Sequence, residues 1–192
     1  MLMKKISIPK ANSTSSRGSD ECRSTWDTIL GLDFNLKELT GPIPSSLSRL
    51  TSLTVLLLDT NNLTGPVPPA LGNLVRLRKL YLGPNQLSGP IPTSIFSLTS
   101  LVELGLSGNG LSGSIPSSIG RLKRLQRLDL NTNKLSGSIP SDVGMLTQLT
   151  YLDFSANQLS GSIPSSIVSP ASTSAISTKT NSPGASRLQY GA

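Results

Sequence analysis

The stretch from Leu53 to Pro68 reads LTVLLLDTNNLTGPVP. Moved on by 24 residues it returns as LRKLYLGPNQLSGPIP, from Leu77 to Pro92, and it returns again from Leu101, Leu125 and Leu149. Glycine keeps the same step at Gly41, Gly65, Gly89, Gly113, Gly137 and Gly161, and proline keeps it at Pro44, Pro68, Pro92, Pro116, Pro140 and Pro164. Leucine does so at Leu39, Leu63, Leu87, Leu111, Leu135 and Leu159, with no insertion or deletion over six copies. A fixed period in the range of about 20–50 residues signals a solenoid, because one such unit cannot bury its apolar face alone and must stack on its neighbours.

The letters of one unit dictate its shape. In Leu56-Leu57-Leu58-Asp59 the flanking leucines alternate with outward positions, which predicts a short strand. Copies stacked about 4.8 Å apart would form one continuous parallel sheet. The turn that follows needs partners for its backbone. The asparagines at Asn61, Asn85, Asn109, Asn133 and Asn157 can both donate and accept, so they are read as a structural ladder that satisfies the loops above and below. The recurring glycine permits a positive φ or a close approach. The Ile-Pro or Val-Pro step fixes an extended bend. After it, SSLSRL, PALGNL, TSIFSL, SSIGRL and SDVGML predict short helical or 3-10 turns on the outer side. They point Leu47, Leu71, Ile95, Ile119 and Val143 inward, followed by Leu50, Leu74, Leu98, Leu122 and Leu146.

Outside the repeats the period is lost. Residues 1–21 are polar and Ser-rich and are read as a disordered segment. Residues 22–34 are read as a degraded cap, in which Trp26, Ile29, Leu30, Leu32 and Phe34 cover the open end of the stack. The repeat domain is placed at 32–168 and a flexible Ser/Thr/Pro-rich tail at 169–192. The 17 Gly and 14 Pro alone would fit a low-complexity chain, and the strict register overrules that for the middle of the sequence.

Several classes of chemistry lose their support. With one cysteine, Cys22, no internal disulfide is possible, and with no histidine a nucleophilic cysteine lacks its base. Metal and cofactor sites find no ligand cluster. No apolar run reaches the roughly 20 residues that a membrane span needs. The basic start of the chain lacks the apolar core of a signal peptide. The net charge of +7 favours acidic partners, but its cations are dispersed and aromatic residues are few, which argues against nucleic acid.

The element LxxLxLxxNxLxGxIPxxLGxL resembles the consensus of plant-type leucine-rich repeats. Across residues 26–168 the chain is similar to the ectodomains of leucine-rich repeat receptor-like kinases and to polygalacturonase-inhibiting proteins. The resemblance implies a right-handed α/β solenoid whose concave strand face takes the partner. It also implies a protein placed outside the cell, at the cell wall or cell surface, with a co-receptor as a further partner. Two departures stand out. The family's cap pairs cysteines, and here Cys22 and Trp26 look like its remnant, with Gly31 where a second cysteine is expected. Lys37 stands in place of the first asparagine.

Function is read from the outward strand positions. Down the stack these are Val55, Lys79, Glu103, Arg127 and Tyr151, beside them Leu57, Tyr81, Gly105, Asp129 and Asp153, and then Asp59, Gly83, Ser107, Asn131 and Ser155. They vary while the buried letters barely change. The candidate ligand-binding residues are therefore Lys79, Tyr81, Glu103, Arg127, Asp129, Asn131, Tyr151 and Asp153, with the tyrosines as anchors. Asp129 and Asp153 are adjacent carboxylates on what is read as an open, wet face, a weak basis for an enzyme. A non-catalytic module binding a protein, peptide or cell-wall glycan in defence or signalling is the leading expectation. A structural or ice-binding repeat protein is the alternative, on the ladder Thr40, Thr64, Ser88, Ser112, Ser136 and Ser160; a receptor-like kinase ectodomain fragment is another. Arg76, Arg78, Arg121, Lys123 and Arg124 lie before strands and on the outer turn, and suit an acidic polysaccharide. Asn12 and Asn62 head glycosylation sequons.

Overall fold

The computed structural model describes residues 29–167 and the backbone of Ile176–Ser177. Asn12, Cys22, Trp26 and the expected N-terminal segment lie outside the described residues, as does the expected tail apart from that one pair. Each unit contributes a short strand, a second strand and a 3-10 turn, and the units stack in register. The first strands are Gly31–Asp33, Val55–Leu57, Lys79–Tyr81, Glu103–Gly105, Arg127–Asp129 and Tyr151–Asp153. They join in one parallel sheet, each residue facing the one 24 positions away. Ile176–Ser177 is the seventh strand of that sheet and pairs with Leu152–Asp153, again 24 residues on. The backbone period thus reaches past the last copy that side-chain pattern reveals.

The turn expected after each asparagine is a second strand. Thr40–Pro42, Asn62–Pro66, Gln86–Pro90, Gly110–Ser114, Lys134–Gly137 and Gln158–Leu159 form a six-stranded parallel sheet. The recurring glycine has φ between 75° and 82° at all six copies and belongs to this strand in the first five. That is the left-handed region, open to glycine at little cost. Pairing here is offset: Thr40 faces Asn62, Thr64 faces Gln86, and Ser136 faces Gln158, which is 22 residues and not 24. Two residues of slip, across strands about 4.8 Å apart with a rise near 3.3 Å, put equivalent atoms roughly 8 Å apart on this sheet. On the first sheet they are a single strand spacing apart. The stack therefore bends, with the first sheet on its inner, concave side.

The 3-10 turns follow from a three-residue spacing of apolar letters. Leu71 N–H donates to Pro68 O, Leu74 N–H to Leu71 O and Leu77 N–H to Leu74 O, at 2.8–3.1 Å. The same chain of bonds runs through Ile95, Leu98 and Leu101 and through Ile119, Leu122 and Leu125. At three residues per turn, side chains three apart eclipse on one face, so each segment lays a file of leucines against the core. Leu47, Leu71, Ile95, Ile119 and Val143 are all buried, as are Leu50, Leu74, Leu98, Leu122 and Leu146.

The asparagine ladder is directional. Asn85 accepts at Oδ1 from Leu63 N–H (2.9 Å) and donates to Leu58 O (2.9 Å) in the preceding unit and to Leu82 O (2.8 Å) in its own. Asn61, Asn109, Asn133 and Asn157 repeat this pattern. Each side chain thus binds its own loop and the one before, in place of the symmetric arrangement read from sequence. Asn61 also accepts from Lys37 N–H, tying down the unit that lacks its own asparagine. Ile29, Leu32 and Phe34 pack against the core, but Leu30, expected among the covering residues, is 59% exposed. It occupies the position of Thr54, one before a strand, where the backbone does the work: Leu30 O accepts from Thr54 N–H and from Val55 N–H.

Candidate functional site

The outward positions of the first sheet stand side by side because the register there is 24. Lys79, Glu103, Arg127 and Tyr151 are direct cross-strand neighbours in that order, and Tyr81, Gly105, Asp129 and Asp153 are neighbours in the next column. Charges of opposite sign alternate down the first column, the arrangement that stabilises adjacent strands.

Two clusters form. In the first, Lys79 Nζ lies 2.8 Å from Glu103 Oε1, and Tyr81 Oη donates to Glu103 Oε2 at 2.6 Å. Tyr81 reaches that far because its ring lies across Gly105: a Cβ added at Gly105 would sit 2.5 Å from Tyr81 Cδ1. The glycine, an apparent gap in the column, is the seat of the tyrosine. In the second cluster, Arg127 Nη2 donates to Asp129 Oδ2 at 3.1 Å, and its guanidinium stacks 3.6 Å above the Tyr151 ring. Asn131 Nδ2 bridges the carboxylates, at 2.6 Å from Asp129 Oδ1 and 3.3 Å from Asp153 Oδ2. Asp153 also accepts from Ser155 N–H at 2.8 Å. Asp129 and Asp153 are only 8% and 9% exposed, which corrects the expectation of carboxylates on an open, wet face. The overlying Arg127 and Tyr151 cover them, and they act as acceptors that lock those two side chains in place.

The titration of these groups follows from the geometry. Burial pushes the Tyr81 phenol up, and the hydrogen bond to Glu103 with its negative charge pushes it further, well above the ordinary value of 10.0. Burial would raise the Glu103 carboxyl too, but the hydrogen bonds from Lys79 and Tyr81 and the nearby cations outweigh it and hold the group below its ordinary 4.5. Burial, then the charges of Asp129 and Asp153, raise Tyr151. Among the described residues no group of three or more His, Cys, Asp or Glu side chains is placed to hold a metal ion. No helix among them is long and apolar enough to cross a membrane.

All eight sequence-predicted ligand residues therefore lie in two clusters on four adjacent strands or the loop positions directly after them. Sequence reasoning missed Gly105 as the seat of Tyr81, and Thr132, whose Oγ1 donates to Asn131 Oδ1 at 2.9 Å and so orients the bridging amide. A glycine facing a tyrosine in the neighbouring copy is a readable signal for the first; spacing carries none for the second.

Residues 51–111 and 99–159 match the family described as leucine rich repeat. The chain belongs to the leucine-rich repeat family. Solved structures similar to it include plant receptors and their ectodomains. It is similar to the plant peptide hormone receptor RGFR1 in complex with RGF2, at 40% identity and a TM-score of 0.73 over 76% of this chain and 24% of that one. It is similar to the Arabidopsis receptor kinase HAESA in complex with the peptide hormone IDA and the co-receptor SERK1, at 39% identity and a TM-score of 0.74 over 80% of this chain and 26% of that one. It is also similar to the BIR2 ectodomain from Arabidopsis thaliana, at 35% identity and a TM-score of 0.61 over 74% of this chain and 71% of that one. The chain thus spans about a quarter of the length of the two hormone-bound receptors. No curated protein matches it at the sequence level.

In this leucine-rich repeat chain the Tyr81–Glu103 bond sets a pH window. A carboxyl held low contributes stability above its ordinary pKa of 4.5, and that stability is lost as pH falls through the folded value. A phenol held high contributes stability below 10.0, lost as pH rises through its folded value. The bond therefore favours the folded state between those limits. In a Tyr151→Phe, Tyr190→Phe background, Glu103→Gln is expected to move the remaining Tyr81 phenol down toward its ordinary value in a spectrophotometric titration. An unmoved titration would mean the bond is absent in solution.

Proposed function

We propose that the chain is a non-catalytic recognition module, placed outside the cell, that binds a protein or peptide ligand along the concave strand face in receptor-type or defence signalling. The observation that carries this reading is the pair of clusters on four adjacent strands. They fix two tyrosines and two cations on a sheet face whose packing duty is discharged by the leucines beneath. Side chains held this way lose little conformational freedom when a ligand arrives, and rigid aromatic and Arg anchors dominate binding surfaces. An extended peptide suits a row of parallel strands, and RGFR1 and HAESA are similar chains seen with peptide hormones. A co-receptor contact follows from the same likeness, since the HAESA complex includes one.

The placement of the hydroxyl ladder argues against an ice-facing surface. Thr64, Ser88 and Ser136 lie on the offset sheet, where successive equivalents step sideways by two residues and do not face one another across strands.

The test is a peptide-library selection on the intact chain, followed by binding titrations of the selected peptide. Tyr81→Ala and Arg127→Ala are each expected to weaken binding by about 30-fold or more, roughly the 2 kcal/mol of a hot spot. Binding unchanged in both would move the site off the concave face.

A further inference from the structure

Apart from Lys37, Glu38, Lys134 and Asp142, the charged side chains of the described residues fall on two faces of opposite net sign. The concave strands and the positions just after them carry Asp33, Asp59, Glu103, Asp129 and Asp153 against only Lys79 and Arg127, so this face is acidic within a chain whose net charge is +7. Six of the ten described Lys and Arg residues, dispersed in sequence, stand on one edge, in the loop that leads from a 3-10 turn back to the next strand. Arg49 and Arg121 end their 3-10 turns at equivalent positions; Arg76 and Arg124 are equivalent to each other, and Arg78 and Lys123 sit beside them. All six are exposed. Across the five copies of this loop, residues 49–54, 73–78, 97–102, 121–126 and 145–150, there is no Asp or Glu. Among the described residues the ion pairs are Lys79–Glu103 and Arg127–Asp129, so none of the six edge cations is in one. Sequence reasoning missed Arg49, although the 24-residue step places it in the column of Arg121.

We propose that this edge binds a linear acidic polysaccharide at a site separate from the concave face. The cations follow the stacking axis as a line, on the first, second and fourth copies of the loop. A linear polyanion can track such a line without matching a pocket, and unpaired like charges raise its local concentration. A bilayer fits the edge less well: the five loop copies contain no Trp, Tyr or Phe to seat at a membrane interface. Because the two faces differ in sign, a polyanion held on the edge is kept off the acidic concave face, which stays open to its own ligand.

The test measures the intact chain on immobilised polygalacturonate, on neutral dextran and with phosphatidylserine vesicles. Binding to polygalacturonate is expected to exceed binding to dextran and to vesicles, and to fall at least ~tenfold as salt rises from about 50 to about 300 mM. The variant Arg76→Gln, Arg78→Gln, Arg124→Gln, which alters only exposed side chains, is expected to bind about tenfold more weakly at low salt. Lys79→Gln, Arg127→Gln is expected to stay within about twofold of the unmodified chain, since those cations are already paired. Equal loss in both variants, salt-insensitive binding, or vesicle binding as strong as polymer binding would each overturn the proposal.

Discussion

Asn133→Ala is expected to lower the unfolding free energy of the chain by about 3 kcal/mol, measured by urea denaturation followed by circular dichroism. Asn133 is 8% exposed. Its Oδ1 accepts from Leu111 N–H at 3.0 Å, and its Nδ2 lies within reach of Leu106 O at 3.0 Å, Leu130 O at 3.2 Å and Asn131 O at 3.2 Å. Alanine would leave the Leu111 N–H without a partner, costing about 1–3 kcal/mol when buried, and would take one hydrogen bond from each of Leu106 O, Leu130 O and Asn131 O, which keep a second donor in Asn109 Nδ2, Asn157 Nδ2 and Gly108 N–H. Water entering the vacated space offsets part of that sum. A second variant separates the two halves of the amide. Asn133→Asp keeps an acceptor for Leu111 N–H but aims a negative charge at carbonyl oxygens, so it should be no better than alanine and should improve as pH falls. If both variants cost less than about 1 kcal/mol, the ladder is not what joins consecutive loops.

That ladder was readable before the fold because its chemistry is local: one residue type, at one step, where a turn must close. Its direction was not readable. Whether Asn85 reaches forward or back depends on how far Leu58 O and Leu82 O stand from it, and only the assembled stack sets those distances. The second sheet was hidden for a different reason. Glycine and proline both weaken a strand, and Leu-Thr-Gly-Pro-Val-Pro carries both in six residues. The strand forms because its glycine adopts a positive φ and Pro66 stands at its end. The three-residue leucine spacing, by contrast, states its own turn type once read: Leu71, Leu74 and Leu77 repeat with the 3-10 period.

The concave face shows the same division. Which residues face outward follows from strand alternation and the 24-residue register, and the eight candidates meet for that reason. What they do to one another does not follow. Gly105 is a vacancy in the sequence and a seat for Tyr81 in the structure, and Asp129 and Asp153 are surface letters that become nearly buried acceptors. Both outcomes depend on where large side chains one strand away come to rest. Alternation cannot report that, since it specifies a face and not a rotamer.

Leu104→Ala should cost about 3–4 kcal/mol, and more than Leu152→Ala. Leu104 is fully buried and stands between Leu80 and Leu128, its register partners on the neighbouring strands, both fully buried as well. The strands on either side are held by their own hydrogen bonds, so the backbone cannot collapse into the space. Burial of this kind falls in the upper part of the roughly 2–5 kcal/mol range for such truncations. In a stack where each unit touches only its neighbours, a weakened central unit loosens its coupling to the copies before it and to those after it. Leu152 is equally buried, but among the described residues the first sheet continues on its far side through the two-residue strand Ile176–Ser177 alone. Its truncation should release one end and leave the earlier copies joined, for a loss nearer about 2 kcal/mol. Hydrogen exchange would report the difference directly: Leu104→Ala should speed exchange on both sides of the cut, and Leu152→Ala only beyond it. Equal losses and equal exchange would mean that the strand at Ile176 closes the stack as firmly as a complete repeat would.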